Sequence, residues 1–248
     1  MSSDHGFVRT GLDKSAAAVR DMFGAVAPRY DLLNHLLSAS LDRSWRRRAA
    51  ERVSAAAPAG PVLDLCSGTG DQAVAVARGG RPVAAVDSCL PMLGRARSKL
   101  RGQAASAAPA AADALSLPFS DARFAAVTIA FGLRNVEDPA AALAEIERVL
   151  APRGTLVVLE FAVPRRYLVR AAYLLYFRHL VPAIAAVLSP RGPAYRYLRD
   201  SVLEFPQRDA LRPMLEGAGF EQVSWTDLSG GTVCLYQGSK PSASSAAR

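Results

Sequence analysis

Cysteine is scarce in this chain and odd in number: Cys66, Cys89 and Cys234, with no CxxC pair. Neither a structural zinc site nor a disulfide framework can be built from them, and a reduced, cytoplasmic compartment fits best. Lysine is rarer than arginine by far. Only Lys14, Lys99 and Lys240 are present, so the net charge of +8 is carried by arginine. Arginine and alanine richness also follows from GC-rich coding, so the charge only points toward an anionic partner, a membrane surface or a nucleic acid. Met1–Thr10 has no apolar centre and does not read as a signal peptide. No uninterrupted apolar run is long enough to span a bilayer. Tyr167 to Leu188 comes nearest, but Arg170, Arg178 and His179 interrupt it and Pro182 breaks it. No His/Cys/Asp cluster has metal-ligand spacing, and there is no internal repeat or linker between two domains.

What is present is organised around Val62-Leu63-Asp64-Leu65-Cys66-Ser67-Gly68-Thr69-Gly70-Asp71. A short apolar run ends in a glycine pair and an Ala-rich helical stretch follows, so the segment reads as strand, tight turn and helix. Such a turn brings a ligand against bare backbone. The run Gly68 to Ala73 fits a loose dinucleotide pattern. Asp71 opposes that reading, because it places negative charge where a pyrophosphate would sit. Asp64 adds a carboxylate beside the loop. A ligand without phosphate and with positive charge fits better, and S-adenosylmethionine (SAM) is one. Asp87 closes the next apolar run, Val83–Val86, where a carboxylate grips ribose hydroxyls.

Strand and helix patterns alternate from Pro61 onward. Strands are expected at 62–66, 83–87, within 102–112, at 124–130 and at 155–161, with helices at 70–78, 91–101 and 139–150 between them. Right-handed crossovers then give a parallel sheet with ligands at the carboxyl ends of its strands. Gly68-Thr69-Gly70, Asp87, Asp113-Ala114, Arg134-Asn135 and Glu160 all fall at such ends. A helix is expected over 207–216, then two alternating strands, 220–226 and 231–237, as an antiparallel addition. One domain over 14–238 follows, with a helical arm at 14–58 folded over the mouth of the sheet. A helical insertion at 165–205 precedes the last two strands, and 1–13 and 239–248 read as disordered tails. The aromatics and arginines of 167–188 suit an interfacial helix or a greasy lid, or an ordinary helix pair on the sheet.

With these pieces placed, the chain resembles the menaquinone and ubiquinone biosynthesis C-methyltransferases from about Val19 to Lys240. Tyr30-Asp31-Leu32-Leu33-Asn34, with Ser38, Arg43 and Trp45, is one signature. The loop Asp64–Asp71 and Ala112-Asp113-Ala114 with Leu117-Pro118-Phe119 are others. Phe131-Gly132-Leu133-Arg134-Asn135 is the most specific. The resemblance implies a Rossmann-like α/β class I methyltransferase with a seven-stranded, mostly parallel sheet whose last strand is antiparallel. It implies SAM as cofactor, contacted by Thr69, Asp87, Asp113 and Ala114, to which the reading of the loop adds Asp64, Gly68 and Gly70; methyl transfer from SAM calls for no metal. It implies C-methylation of a prenylated quinol. The ring is a demethylmenaquinol in the leading reading, and a benzoquinol of the ubiquinone pathway, or both, in the alternative. Three positions depart from the pattern: Ala130 where serine is frequent, and Asp42 and Tyr236 where histidine is.

Methylation of a ring carbon needs a hydroxyl to lose its proton, so the site needs a proton acceptor and donors to the phenolate. Arg134 is expected as the cation near that oxygen, Asn135 as an orienting donor, and Tyr30 and His35 as relay groups. Glu160 is expected as a buried partner of Arg134. Leu32, Leu33, Leu36 and Leu37 are expected to wall the prenyl tail, with peripheral contact to the cytoplasmic membrane face. Oligomeric state, a homodimer included, is left open. A methyltransferase acting on RNA or another small molecule, and a SAM-binding scaffold without turnover, are the other classes. RNA is disfavoured, because no basic, aromatic-bearing module accompanies the domain. Asp71 disfavours an NAD oxidoreductase.

Overall fold

The computed structural model describes residues 12–104, 106–176, 178 and 193–242. Its centre is β1 (Val62–Leu65), four residues all buried, paired in parallel with β2 (Val83–Asp87) on one side and β4 (Phe124–Ala130) on the other. β3 (Ala107–Ala111) pairs with β2, and β5 (Leu150–Phe161) with β4, again in parallel. β7 (Val233–Ser239) runs antiparallel between β5 and β6 (Glu221–Leu228). The order is thus β3-β2-β1-β4-β5-β7-β6, the expected seven-stranded sheet with an antiparallel last strand. A strand buried on both faces reads as a near-continuous apolar run, and β4 and the Thr155–Leu159 part of β5 do.

Two helical layers cover the sheet. Under α3 (Leu41–Ala56), α4 (Asp71–Ala77) and α5 (Leu90–Gln103) lie Ala49, Val53, Val74, Ala96 and Leu100. Under α6 (Pro139–Val149) lie Leu143, Ile146, Phe220 and Leu215. Each buried Val, Leu, Ile or Phe among them removes apolar surface worth roughly 1.5–3 kcal/mol, each alanine less. α6 starts where it does because Asp138 caps it, its carboxylate accepting from the Ala140 and Ala141 amides at 3.0 Å, with Pro139 at the first position.

The arm consists of α1 (Ala16–Val26), a 3-10 turn at Ala27–Arg29, α2 (Tyr30–Leu37) and α3. Ser15 caps α1, and Phe23, Val26 and Tyr30 pack on Ala27, Cys89 and Met92. After β5 come α7 (Tyr167–Leu175), α8 (Pro193–Glu204) and α9 (Arg212–Gly217).

Four boundaries differ from expectation. β5 begins at Leu150, because the turn at Ala151–Gly154 stays bonded to the chain end: Arg153 N donates to Lys240 O and Lys240 N to Gly154 O. The single helix expected over 207–216 is a 3-10 turn, Arg208–Ala210, then α9, because Arg208 has φ +56° and Pro213 starts the second piece. The strand expected within 102–112 is confined to Ala107–Ala111. The tail expected over 239–248 starts later, because Ser239 closes β7 and Lys240 N donates to Gly154 O. The rest of the expected tails at 1–11 and 243–248, and the Pro182 break in the insertion, lie outside the described residues.

Candidate active site

Two cavities meet at the carboxyl edge of the sheet. The smaller, of about 100 Å³, is lined by Cys66, Gly68, Asp87, Ser88, Asp113 and Ala114 among others. The larger, of about 250 Å³, lies under the arm. Phe23, Tyr30, Phe131 and Asn135 line both and form the wall between them.

In the smaller cavity, Asp87 accepts from the Gly68 and Cys89 amides, both at 2.8 Å. Burial raises its pKa while those amides oppose the rise. Each carboxylate oxygen keeps a second lone pair for a ligand hydroxyl. Gly68 has φ +56°, and a Cβ there would meet nothing within 4 Å, so open space lies over this backbone. Asp113 is exposed and accepts from the Leu115 amide at 3.0 Å through one oxygen, leaving the other for a ligand donor. A ribose on Asp87, a polar tail over Gly68 and an amino-bearing base by Asp113 and Ala114 fit this donor set, as SAM requires.

Three residues expected at the cofactor stand elsewhere. Thr69 is buried and its hydroxyl bonds Asp31 at 2.5 Å, so it joins the loop to the arm. Gly70, at φ +86°, packs against Ala96 of α5 and caps α4. Asp64 is fully buried behind the loop. Burial pushes its pKa up to about 8, against the Arg46 charge and the Ala73 amide. At neutral pH it therefore carries a proton, and the negative charge the sequence suggested beside the loop is absent. Asp71 is also compensated, by Lys99 at 2.5 Å. Lys99 reaches Asp31 too, at 2.8 Å. Burial works to raise Asp31, but hydrogen bonds from Lys99 and Thr69 hold its pKa below the ordinary carboxylate value.

The larger cavity has aromatic walls. Phe131 and Phe161 lie 4.5 Å apart between centroids, and Trp45 meets them edge-on at 6.1 and 6.4 Å. Arg134 sits over Phe161 at 5.2 Å and Arg46 over Phe131 at 5.3 Å. Arg134 is buried; its guanidinium donates to Glu160 at 2.8 Å and to Phe131 O at 2.6 Å. Asn135 Nδ2 donates to the same Phe131 carbonyl at 3.2 Å. Phe131 holds φ +62°, a left-handed conformation that aims this carbonyl at both side chains. Arg46 Nε, Arg134 Nε, Asn135 Oδ1 and the Tyr197 hydroxyl are buried here with no hydrogen-bond partner. Leaving such groups unsatisfied costs about 1–3 kcal/mol each, so the cavity is built for an apolar ligand with polar edges.

Tyr30 lines both compartments, whereas His35 lines neither. Its ring bonds Asp42, which does face the larger cavity. Leu33 and Leu37 also face it; Leu32 and Leu36 point outward and are exposed. Tyr236 takes no part: its hydroxyl accepts from the Arg208 amide at 2.6 Å and fixes the strained turn before α9. Sequence reasoning passed over Arg46, Tyr197 and the cavity-facing role of Asp42. The signal was available for two of them, since Asp42, Trp45 and Arg46 stand three and four apart on one face of α3.

A family model described as the ubiE/COQ5 methyltransferase family matches residues 10–240. The chain is 44% identical over 222 residues to a demethylmenaquinone methyltransferase of Thermus thermophilus, covering 89% of this chain and 100% of that one. It is 38% identical over 240 residues to a ubiquinone/menaquinone biosynthesis C-methyltransferase of Shewanella frigidimarina, covering 95% of each. Among solved structures, a SAM-dependent methyltransferase of Thermotoga maritima aligns with a TM-score of 0.62 at 19% identity, over 90% of this chain and 99% of that one, and so shares the fold.

Proposed function

Because the chain belongs to the ubiE/COQ5 methyltransferase family, we propose that its acceptor is a prenylated naphthoquinol of the demethylmenaquinol type. The chain is a SAM-dependent C-methyltransferase of quinone biosynthesis. Bound SAM supplies an electrophilic methyl group. Asp87, Gly68, Asp113 and Ala114 hold it in the smaller cavity, and the wall of Phe23, Tyr30, Phe131 and Asn135 sets where the acceptor ring meets it.

The observation that carries this reading is the set of unpartnered buried polar atoms on Arg46, Arg134, Asn135 and Tyr197 within one aromatic-walled cavity. A flat bicyclic ring stacks on Phe131 and Phe161 while its oxygens meet the donors on Arg46, Arg134 and Tyr197, and a ring hydroxyl donates to Asn135 Oδ1. Arg134 cannot act as a base, because a guanidinium stays protonated. It steadies the phenolate oxygen, its charge partly balanced by Glu160, and Asn135 orients the ring. Holding carbon and methyl aligned is most of the work. The two relatives at 44% identity, from Thermus thermophilus and Deinococcus radiodurans, carry names specifying demethylmenaquinone, which supports the naphthoquinol.

The test is methyl transfer from labelled SAM to a short-tailed demethylmenaquinone, oxidised and reduced, beside a benzoquinol analogue. Label in the reduced naphthoquinol alone is expected. Label in the benzoquinol alone would overturn the ring assignment, and label in both would make the enzyme bifunctional.

Contact with an anionic bilayer belongs to the same reading. Among the described residues no helix is long and apolar enough to cross a membrane. Leu32 and Leu36 of α2 and Tyr167, Leu168 and Leu175 of α7 are nevertheless exposed, with Arg165, Arg166, Arg170 and Arg178 beside them. The Tyr176 hydroxyl donates to Leu37 O and joins α7 to α2. Such a face takes up a polyprenyl tail from the bilayer.

A further inference from the structure

The acceptor of the quinol proton is not settled by Arg134 and Asn135. The groups lining the larger cavity narrow it. Arg46 and Arg134 are permanent cations. The lining tyrosines, Tyr30 among them, are phenols that already carry their proton and donate it, and burial pushes Tyr176 and Tyr197 up to about 12 and Tyr173 higher. Among the described lining residues, Asp42 is the single carboxylate. It is 3% exposed, on the inward face of α3.

Asp42 does not stand alone. His35 Nδ1 lies 2.9 and 3.1 Å from its two oxygens, and the Ser38 hydroxyl donates to it at 2.8 Å. His35 is itself a quarter exposed, its side chain being 24% accessible. The pair therefore runs from a buried apolar cavity to solvent. We propose that Asp42 is the proton acceptor for the quinol hydroxyl, and that His35 is its positioning residue and carries the proton outward.

This rests on the quinol reading above. In the step, the hydroxyl O–H bond breaks and its proton passes to an Asp42 oxygen. The electron pair left on oxygen feeds the ring carbon, which bonds the methyl carbon as the methyl–sulfur bond breaks, that pair leaving with sulfur. Asp42 has by then passed its first proton to His35, and it takes the proton that the ring carbon loses, which leaves the aromatic phenolate. That proton returns from Asp42 to the oxygen and restores the quinol, so one proton leaves through His35 for each methyl transferred. Asp71 of α4 brings a carboxylate oxygen within 4.8 Å of the pair. Among the described residues, the charged groups near the pair are Arg46, one turn on from Asp42 and lining the same cavity, Asp71 within 4.8 Å, and Lys99, which joins Asp71 to Asp31 of α2.

The experiment compares wild type, D42N, D42E and H35Q with SAM and reduced short-tailed demethylmenaquinol, measuring kcat, KM and their pH profiles, with SAM affinity by calorimetry. General-base removal costs 10²–10⁴-fold. D42N should therefore lose at least a hundredfold in kcat with SAM affinity within twofold of wild type. D42E should recover part of it, and H35Q should fall about tenfold with the acidic limb of its profile displaced. A chlorinated naphthoquinol, whose hydroxyl ionises more readily, should shrink the D42N deficit, which a structural role would not do. If D42N melts without cooperativity, H35Q and the chlorinated acceptor decide the matter. D42N within threefold of wild type in kcat, or H35Q with an unshifted profile, would overturn the proposal while leaving the quinol reading intact. Wild type that binds SAM but methylates no quinol would overturn both.

Discussion

Glu160 grips Arg134 twice: one carboxylate oxygen accepts from the guanidinium at 2.8 Å and the other from the Arg134 backbone amide at 3.2 Å. Both side chains are almost fully buried, so the contact fixes the 3-10 turn Leu133–Asn135 at the end of β4 as well as balancing charge. Removing one partner of such a pair leaves an uncompensated buried charge and costs about 3–5 kcal/mol. E160Q should thus lower stability by roughly that amount in urea denaturation, with m unchanged. R134M strands the Glu160 carboxylate, the more buried of the two at 1% exposure, so it should cost at least as much stability and lose the methyl-transfer rate more completely.

Lys99 joins the arm to the glycine loop through Asp31 and Asp71, and Thr69 completes the joint. K99M should leave two carboxylates facing each other without a cation. Hydrogen exchange in α2 should rise and SAM affinity fall several-fold, while the strands of the sheet keep their protection. The pH dependence has a defined sign. Asp31 is held below its ordinary pKa of 3.8 in the folded chain, so its contribution is present above that value and lost as pH falls through the folded pKa. The Asp31 side chain is partly exposed, so solvent screens part of this contribution. The stability gap between wild type and K99M should therefore narrow as acid is added below pH 4.

The joint also marks where sequence and structure part. The glycine turn, the strand order up to β5 and the polar groups at the strand ends are local signals, each carried by a few adjacent residues, and they were legible. So was the Arg134–Glu160 pairing, since both fall at the ends of neighbouring strands. What escaped was set by tertiary packing. Asp31, Thr69 and Lys99 lie on three segments, and nothing local tells that the Thr69 hydroxyl is spent on Asp31. The inward turn of Asp42 and Arg46 depends on α3 lying flat over Phe131 and Phe161, and Arg43, the neighbour that looked more telling, is exposed. The break at Arg208 is a backbone strain that apolar periodicity cannot report.

Asp64 should make stability fall with rising pH. Its folded pKa is about 8, against 3.8 in the unfolded chain. Between those values the folded protein holds a proton that the unfolded chain has lost, so acidification stabilises and alkali destabilises. Each pH unit in the window costs at most about 1.4 kcal/mol. D64N has nothing to titrate there. Its stability relative to wild type should improve steadily from pH 4 to pH 8 and level off beyond, as read by denaturation at four or five pH values. A flat difference would show that Asp64 is ionised throughout.

Gly132 and Cys66 are packed so closely that a Cβ on Gly132 would collide with the Cys66 Cβ, and would also press the Cys66 sulfur and an Ile129 methyl at 3.2 Å. Cys66 in turn holds φ +55°, where a side chain is strained and glycine is not. G132A should therefore displace the turn that carries Arg134 and destabilise the chain by about 1–3 kcal/mol, as overpacking does. C66G removes both the strained Cβ and most of the obstacle, at the cost of a freer unfolded chain. The double variant C66G/G132A should be more stable than the sum of the two single changes allows, by about 1 kcal/mol or more, since contacting residues couple. The Ile129 contact remains, so recovery should be incomplete. Strict additivity in this cycle would mean that the β4 turn accommodates the alanine by moving away from the glycine loop, and SAM affinity in G132A would then fall with it.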